Sequence, residues 1–164
     1  LPSPLPNKQT LKSNLLLLCQ SLYTNMTHHT KTFGDLGVLH AKIDLLEKGY
    51  VTCTPDTEHA PFDLVAFKEG KCYTVQVKAR KVNVRGNIEV AFKSNWNDRH
   101  GTHMKPVNKE SIDIYCVFCP DTSNCYYFDP KVYNKSISIR ILETKNNQTL
   151  GVHWHEDFLA IPEL

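Results

Sequence analysis

The stretch from Phe62 to Arg80 constrains the fold of this chain more than any other. Two apolar runs flank a short polar segment at 68–71, and this pattern predicts two antiparallel strands joined by a tight turn. Side chains alternate along the second strand, so Gln76 and Lys78 share one face. Asp63 begins the first strand, and pairing across the hairpin can bring its carboxylate to the same place. An acid, an amide carbonyl and an ammonium together suit a metal ion that activates water beside a phosphate.

This arrangement resembles the PD-(D/E)xK nuclease superfamily, whose motif is an acid at the start of one strand and (D/E)xK on the next. The two half-motifs here are Pro61-Phe62-Asp63 and, after twelve intervening residues, Gln76-Val77-Lys78. Gln76 replaces the usual acid. This QxK form is similar to the group I intron-encoded homing endonucleases of the cyanobacterial type within the superfamily. The resemblance spans roughly residues 33 to 92.

The resemblance implies a site-specific endonuclease that hydrolyses double-stranded DNA with Mg²⁺, for which Mn²⁺ substitutes. Asp63 and Gln76 would bind the metal, and Lys78 would position or activate the attacking water. The helix glutamate of the superfamily would fall at Val38, so Asp35, about one helical turn earlier, is the predicted accessory acid and metal ligand. The implied partners are DNA and further copies of the chain, in a homodimer or homotetramer, with no membrane. The implied location is the bacterial cytoplasm, with the protein on the nucleoid when it is bound to DNA.

Several other interpretations stay open. Within the superfamily, a Holliday junction resolvase-like or a restriction-type nuclease shares the same motif. A non-catalytic nucleic-acid-binding module would use the polar hairpin face only as a contact surface. Asp56 is a rival for Asp63 because Pro55-Asp56 is a literal Pro-Asp pair, but it precedes the strand and is typical of a turn.

The charge of the chain is unevenly distributed. The net charge is +2, yet the window from Lys78 to Lys109 has eight Lys and Arg against two acids, which makes it +6 and the remainder −4. A basic block in an otherwise acidic chain suits a polyphosphate partner. The predicted DNA-binding residues lie in this window: Arg80, Lys81, Asn83, Arg85, Lys93, Asn97, Arg99, His103 and Lys105.

The six cysteines and the histidines permit two further metal sites. The cysteines are interpreted as reduced and intracellular, because a chain of this length without an export signal seldom forms a disulfide framework. Cys116-x-x-Cys119 with His153 and His155 has the residue types of a zinc site, although positions three apart on a strand face opposite sides. The segment from Asn95 to His103 has the composition of a ββα-metal nuclease, but the sequence predicts an irregular loop there rather than a strand pair.

The remaining pattern predicts one α/β (α+β) domain, a restriction-endonuclease-like core with a central mixed sheet flanked by helices. Leu36, Leu39, Ile43 and Leu46 recur along one face of a helix over residues 34–48, with Asp35 near its start and Gly49 at its end. Further strands are predicted at 50–54, 87–92 and 136–142, and a second hairpin at 111–128. Residues 1–25 are interpreted as a leader or extension, and 26–164 as the nuclease domain. The aromatic residues 126–128 and Trp154 are candidates for a subunit interface or for the core.

Overall fold

The computed structural model describes residues 29–57, 59–143 and 150–164, so the predicted leader at residues 1–25 lies outside the described part. The chain divides into two compact units, Leu1–Phe33 and Gly34–Leu164, and the sheets below belong to the second. The described elements in chain order are α1 (His29–Glu47), β1 (Val51–Cys53), β2 (Leu64–Lys68), β3 (Lys71–Ala79), β4 (Asn87–Ala91), β5 (Lys93–Asp98), β6 (Gly101–Pro106), β7 (Ile114–Cys119), β8 (Asn124–Phe128), β9 (Ser136–Arg140) and β10 (His153–Trp154), with short 3₁₀ segments at Lys109–Ser111, Pro130–Val132 and His155–Phe158.

The central sheet has five strands in the order β1-β2-β3-β7-β8. β3 and β7 are parallel and the other neighbours are antiparallel, which confirms the predicted mixed sheet. The predicted hairpin is present as β2 and β3. Its two turn residues, Glu69 and Gly70, have φ angles of 51° and 79°. Two consecutive positive φ angles match the right-handed twist of the strands, as in a type I′ turn.

A second sheet covers one face of the central sheet. It has the order β10-β9-β4, and its inward aliphatic side chains pack against aromatic residues of β7 and β8. The predicted mixed sheet is therefore confirmed, but among the described elements a helix, α1, flanks only one face, and the second sheet covers the other. The main core lies between the sheets; its largest members are Ile88, Val90, Phe92, Ile112, Tyr115, Val117, Tyr126, Phe128, Ile137 and Ile139.

The helix α1 begins five residues before the predicted start, at His29 rather than Gly34. Asp35 consequently lies inside the helix and does not cap it. The end is as predicted: Tyr50 donates its N–H to the Leu45 carbonyl and Gly49 donates to Leu46, both at 2.9 Å. With Gly49 at φ 81° this is a Schellman ending. Among the described helices, none is long and apolar enough to cross a membrane.

The face that α1 turns to the central sheet differs from its apolar stripe. Gly37, Ala41 and Leu45 are buried, and a Cβ built on Gly37 would lie 3.1 Å from the Ala79 Cβ on β3. The small residues let the helix backbone approach the sheet closely. The predicted stripe lies on the other side of the helix, with Leu36, Leu39, Ile43 and Leu46 each 46–57% exposed.

The aromatic residues of β8 are core residues. Tyr126, Tyr127 and Phe128 are at most 3% exposed. The Tyr127 hydroxyl donates a hydrogen bond to the Asp44 carboxylate, which ties β8 to α1. The suggestion that these three residues form a subunit interface was wrong, because they are already buried within one chain.

Candidate active site

The hairpin brings Asp63 and Gln76 together directly. Asp63 donates its N–H to the Val75 carbonyl at 3.0 Å, which extends the β2–β3 ladder by one residue. This fixes the backbone of Asp63 opposite β3. Its carboxylate oxygen Oδ2 then accepts the N–H of Val77 at 2.8 Å and a side-chain N–H of Gln76. These two hydrogen bonds hold the acid of the first half-motif against the residues of the second half-motif.

Lys78 lies two residues beyond Gln76 on the same face of β3, and it is half-buried. Burial raises the pKa of Asp63, and the Val77 N–H and the charge of Lys78 offset this only in part. Burial also lowers the pKa of Lys78; Asp63 opposes that shift and Arg80 adds to it. Both groups are therefore pushed toward their neutral forms. Each lacks part of the counter-charge that its ionised form needs.

Tyr115 belongs to the same surroundings and was not singled out from the sequence. It pairs with Gln76 across the parallel β3–β7 ladder, and its side chain packs between Phe92 and Phe128. Among the residues that the structure describes, none forms a hydrogen bond with its buried hydroxyl. Burial and the Asp63 charge raise the pKa of Tyr115 to about 12. No local sequence signal marks it, since the contact depends on the register between strands almost forty residues apart.

Two other acids lie outside this arrangement. Asp35 is exposed on α1, and none of the hydrogen bonds or ion pairs described joins it to Asp63, Gln76 or Lys78, so its role as an accessory acid stays a prediction. Asp56 is exposed in the loop before β2. Within the described ranges, no group of three or more His, Cys, Asp or Glu is placed to hold a metal ion.

The basic block begins where β3 ends. Arg80, Lys81 and Arg85 are exposed, and Arg80 also donates from Nη1 to the Ala79 carbonyl at 2.8 Å. Asn83 shapes the turn into β4, because its Oδ1 accepts the N–H groups of Arg85 and Asn87, at 2.9 and 3.1 Å. The Oδ1 atom of Asn83 is therefore already engaged in hydrogen bonds within the chain. Its contact with DNA stays a prediction.

The rest of the basic block forms an ordered two-stranded ribbon, where the sequence predicted an irregular loop. β5 and β6 pair from Lys93↔Pro106 to Asp98↔Gly101, and Arg99 and His100 make the tip. Lys93, Arg99 and Lys105 are exposed, while His103 contacts Asp98 at 3.0 Å. Asn97 lies in β5, and its side chain is outside the described part.

The ribbon bears on the ββα-metal alternative. The expectation that no strand pair frames these residues was wrong. However, residues 107–113, which connect the ribbon to β7, contain only a 3₁₀ segment and no α-helix.

The zinc alternative is not favoured by the placement of the cysteines. Cys119 packs in the core between the two sheets. Cys116 is on the opposite face of β7, beside Cys125 and Tyr127, and burial raises the pKa of its thiol. Both are fully buried, so the two thiols face different sides of one strand and act as small apolar groups.

A family model described as PD-(D/E)XK endonuclease matches residues 28–161. The chain belongs to this family. Among solved structures, it is similar to that of a bacterial homing endonuclease, I-Ssp6803I, with a TM-score of 0.62 and 26% identity over 73% of this chain and 82% of that one. No curated protein sequence matches the chain. The resemblance drawn from the hairpin is confirmed, and the chain is a nuclease of a family that generally uses divalent metal ions.

Proposed function

We propose that this protein is a Mg²⁺-dependent, site-specific endonuclease that cuts double-stranded DNA, as an intron-encoded homing enzyme does. The observation that carries the proposal is the convergence of Asp63, Gln76 and Lys78 on one hairpin in a chain of the PD-(D/E)XK endonuclease family. The similarity to a bacterial homing endonuclease supports the homing role.

The donor set fits Mg²⁺. Asp63 offers a carboxylate whose pKa is raised by burial, so a cation beside it would supply the missing positive charge. Gln76 offers an amide carbonyl oxygen. Mg²⁺ favours oxygen ligands and is commonly held by one or two protein groups together with waters and substrate phosphates. With one carboxylate and one amide, this chain would depend strongly on the phosphate oxygens of its substrate.

The metal, when bound, would polarise the scissile phosphate and make a bound water more acidic. The chain's own groups set up the rest. Asp63 is fixed by the backbone of β3, which gives the site a rigid reference point. Burial lowers the pKa of Lys78, and the charge of Asp63 offsets this only in part. A phosphate oxygen beside Lys78 would favour its ammonium form, which would in turn stabilise the charge that develops there.

The exposed basic residues suit the DNA backbone. The β5–β6 ribbon is the second feature that favours duplex DNA, because a two-stranded ribbon fits the major groove. Its exposed lysines and Arg99 would neutralise phosphates and position the tip. If the target sequences lie in genomic DNA, the protein would be in the cytoplasm and on the nucleoid when it is bound to DNA.

Cleavage of supercoiled plasmid carrying a candidate target, with and without Mg²⁺, tests the proposal. We expect metal-dependent cutting that Asp63→Asn abolishes while DNA binding persists. Asp56→Asn, in the exposed loop, is the matched control and should cut normally. Binding without cutting at any divalent ion would favour the non-catalytic module. Preferential cutting of four-way junctions over duplex would favour the resolvase-like activity.

A further inference from the structure

A pocket of about 400 Å³ lies where the β5–β6 ribbon joins the rest of the domain. Two backbone hydrogen bonds shape it: Phe92 donates its N–H to the Lys135 carbonyl at 3.0 Å, and Val107 donates its N–H to the Phe92 carbonyl at 3.1 Å. They fix both ends of the ribbon, one of them against the chain just before β9. The apolar part of the lining is Phe92, Met104, Pro106 and Val107. This cavity is the ribbon-base pocket.

The polar part of the lining is strongly basic. It consists of Asn134 and four lysines, Lys93, Lys105, Lys109 and Lys135. Among the described residues of the lining, none is acidic. The Lys109 ammonium is held in place, because it donates to the carbonyls of Tyr133 and Asn134. It also lies 4.4 Å from the centroid of the Phe92 ring. These partners carry no negative charge, so the pocket keeps a positive potential that favours an anion.

An apolar lining with cations around it fits a nucleotide. A phosphate group alone would leave the apolar residues without contact, and an apolar peptide would leave four lysines without counter-charge. The volume lies in the range of about 300–1,000 Å³ that is usual for small-ligand sites, and it is far more than a thymine methyl group fills. A base packed on apolar side chains, with its phosphate among lysines, satisfies both parts of the lining.

We propose that the ribbon-base pocket binds one unstacked nucleotide of the DNA, with its base against Met104 and Val107 and its phosphate among the lysines. The DNA origin of this nucleotide rests on the proposed function. Bases in a duplex are stacked, so one of them leaves the stack to enter the pocket. The protein would then favour sequences that unstack readily at this position, without reading the edge of the base.

The position of the pocket places this nucleotide near the cut. The Phe92 ring, which lines the pocket, meets the Tyr115 ring edge to face, with centroids 5.2 Å apart. Tyr115 in turn pairs with Gln76 of the candidate active site. The pocket and the site are therefore connected through neighbouring side chains, and a strand that passes Lys78 can deliver an adjacent nucleotide to the pocket.

Binding of paired and unpaired duplexes tests the pocket in the absence of cleavage. Two short duplexes of one sequence, one fully paired and one with a central thymine opposite an abasic site, are titrated without divalent ions. The unpaired thymine leaves the stack at a lower cost, so we expect the wild type to bind the second duplex at least about tenfold more tightly. Equal affinities for the two duplexes would overturn the proposal.

Two substitutions close the pocket in different ways. Val107→Phe fills it, and Met104→Glu, at a residue that is 63% exposed, places a negative charge among the lysines. Each should bring the ratio of the two affinities close to one, and the ratio cancels any general loss of DNA binding. Leu150→Glu, at an 89% exposed residue outside the pocket, is the matched charge control and should keep the wild-type ratio. A preference that persists in either pocket variant, with unchanged circular dichroism, would come from the flexibility of the duplex and overturn the proposal.

Thymidine monophosphate separates a nucleotide of DNA from a free one. It should bind far more weakly than the unpaired duplex, because it lacks the phosphate contacts along the ribbon. Binding tighter than that of the duplex would assign the pocket to a free nucleotide and overturn the DNA origin. Plasmid cleavage is measured separately. A chain that cuts but shows no preference for the unpaired duplex loses the pocket proposal and keeps the nuclease proposal, and a chain that shows the preference but never cuts gives the reverse.

Discussion

The side-chain amide of Gln76 donates a hydrogen bond to the carboxylate of Asp63. In the usual motif an acid occupies the position of Gln76, and two adjacent carboxylates repel each other unless a cation or a proton separates them. The neutral amide removes that repulsion. Asp63 is therefore held in place by its own hairpin before any metal binds, and the cost is one negative charge fewer for the metal.

Gln76→Glu should separate the two effects of the neutral amide, on stability and on metal binding. Without divalent ions we expect the free energy of unfolding of the variant to be lower by about 1–3 kcal/mol, because a donor to a half-buried carboxylate is replaced by a like charge. With Mg²⁺ or Mn²⁺ the deficit should disappear, and cleavage should persist at a lower metal concentration than in the wild type. Urea unfolding with and without metal measures both effects. A variant that is equally unstable with metal would show that Gln76 is purely structural.

Lys78→Met should abolish cleavage and leave the fold intact. The methionine keeps most of the length and removes a charge that burial disfavours, so we expect a melting temperature at or above that of the wild type. Lys71→Met, at the exposed beginning of the same strand, is the control and should cut normally. Single-turnover cleavage at saturating protein is the measurement. Near wild-type rates from Lys78→Met would remove this residue from the chemistry.

The basic block should account for much of the salt dependence of DNA binding. Replacing the exposed residues Lys81, Arg85 and Arg99 by alanine should reduce the slope of log K against log salt by about 0.9 per lost phosphate contact, or about 2.7 in total. Fluorescence anisotropy at several salt concentrations gives this slope. Lys71→Ala, outside the block, should leave it unchanged. If the triple variant keeps the wild-type slope, the DNA surface lies elsewhere.

Asp113 should stabilise the parallel β3–β7 pair at neutral pH. Its Oδ2 accepts the N–H and the hydroxyl of Thr74, both at 2.9 Å, and Lys131 lies 3.6 Å from Oδ1. Burial by itself raises the pKa of Asp113, but the Thr74 hydrogen bonds and the Lys131 charge outweigh it and lower the pKa. A lowered pKa means that the stabilisation is present above the unfolded-state pKa and is lost as the pH falls through the folded-state value.

We therefore expect Asp113→Asn to reduce the free energy of unfolding by about 1–2 kcal/mol at neutral pH. The difference from the wild type should shrink toward zero in acid, below the ordinary aspartate pKa of about 3.9. Urea unfolding at neutral pH and in acid measures the free energy of unfolding of both proteins, with Asp56→Asn as the exposed control. A deficit that is the same at both pH values would contradict a role for the ionised carboxylate.

The local pattern of the chain was enough to predict the β2–β3 hairpin. Gly70 provides one of the two positive φ angles of the turn, and strict alternation places Gln76 and Lys78 on one face, so these features depend on neighbours within about twenty residues. The same is true of the helix end at Gly49. Membership in the nuclease family followed from the same stretch, because its motif is a hairpin motif.

The β5–β6 ribbon was missed for a physical reason. Residues 93–106 are polar and show no clear apolar alternation, and β6 is exposed along nearly its whole length. The two strands pair through backbone hydrogen bonds, and backbone pairing leaves no trace in the side-chain pattern.

The sequence by itself determined which residues form the β2–β3 hairpin and that α1 has an apolar stripe. Only the tertiary structure decided which side of α1 meets the sheet and which tyrosine pairs with Gln76 and is influenced by the charge of Asp63. The helix packs through Gly37 and Ala41 because close approach of backbones needs small side chains, and hydrophobicity alone would have selected the leucines. Tyr115 reaches the site through the parallel register of β3 and β7, and that register is set by the packing of both sheets together.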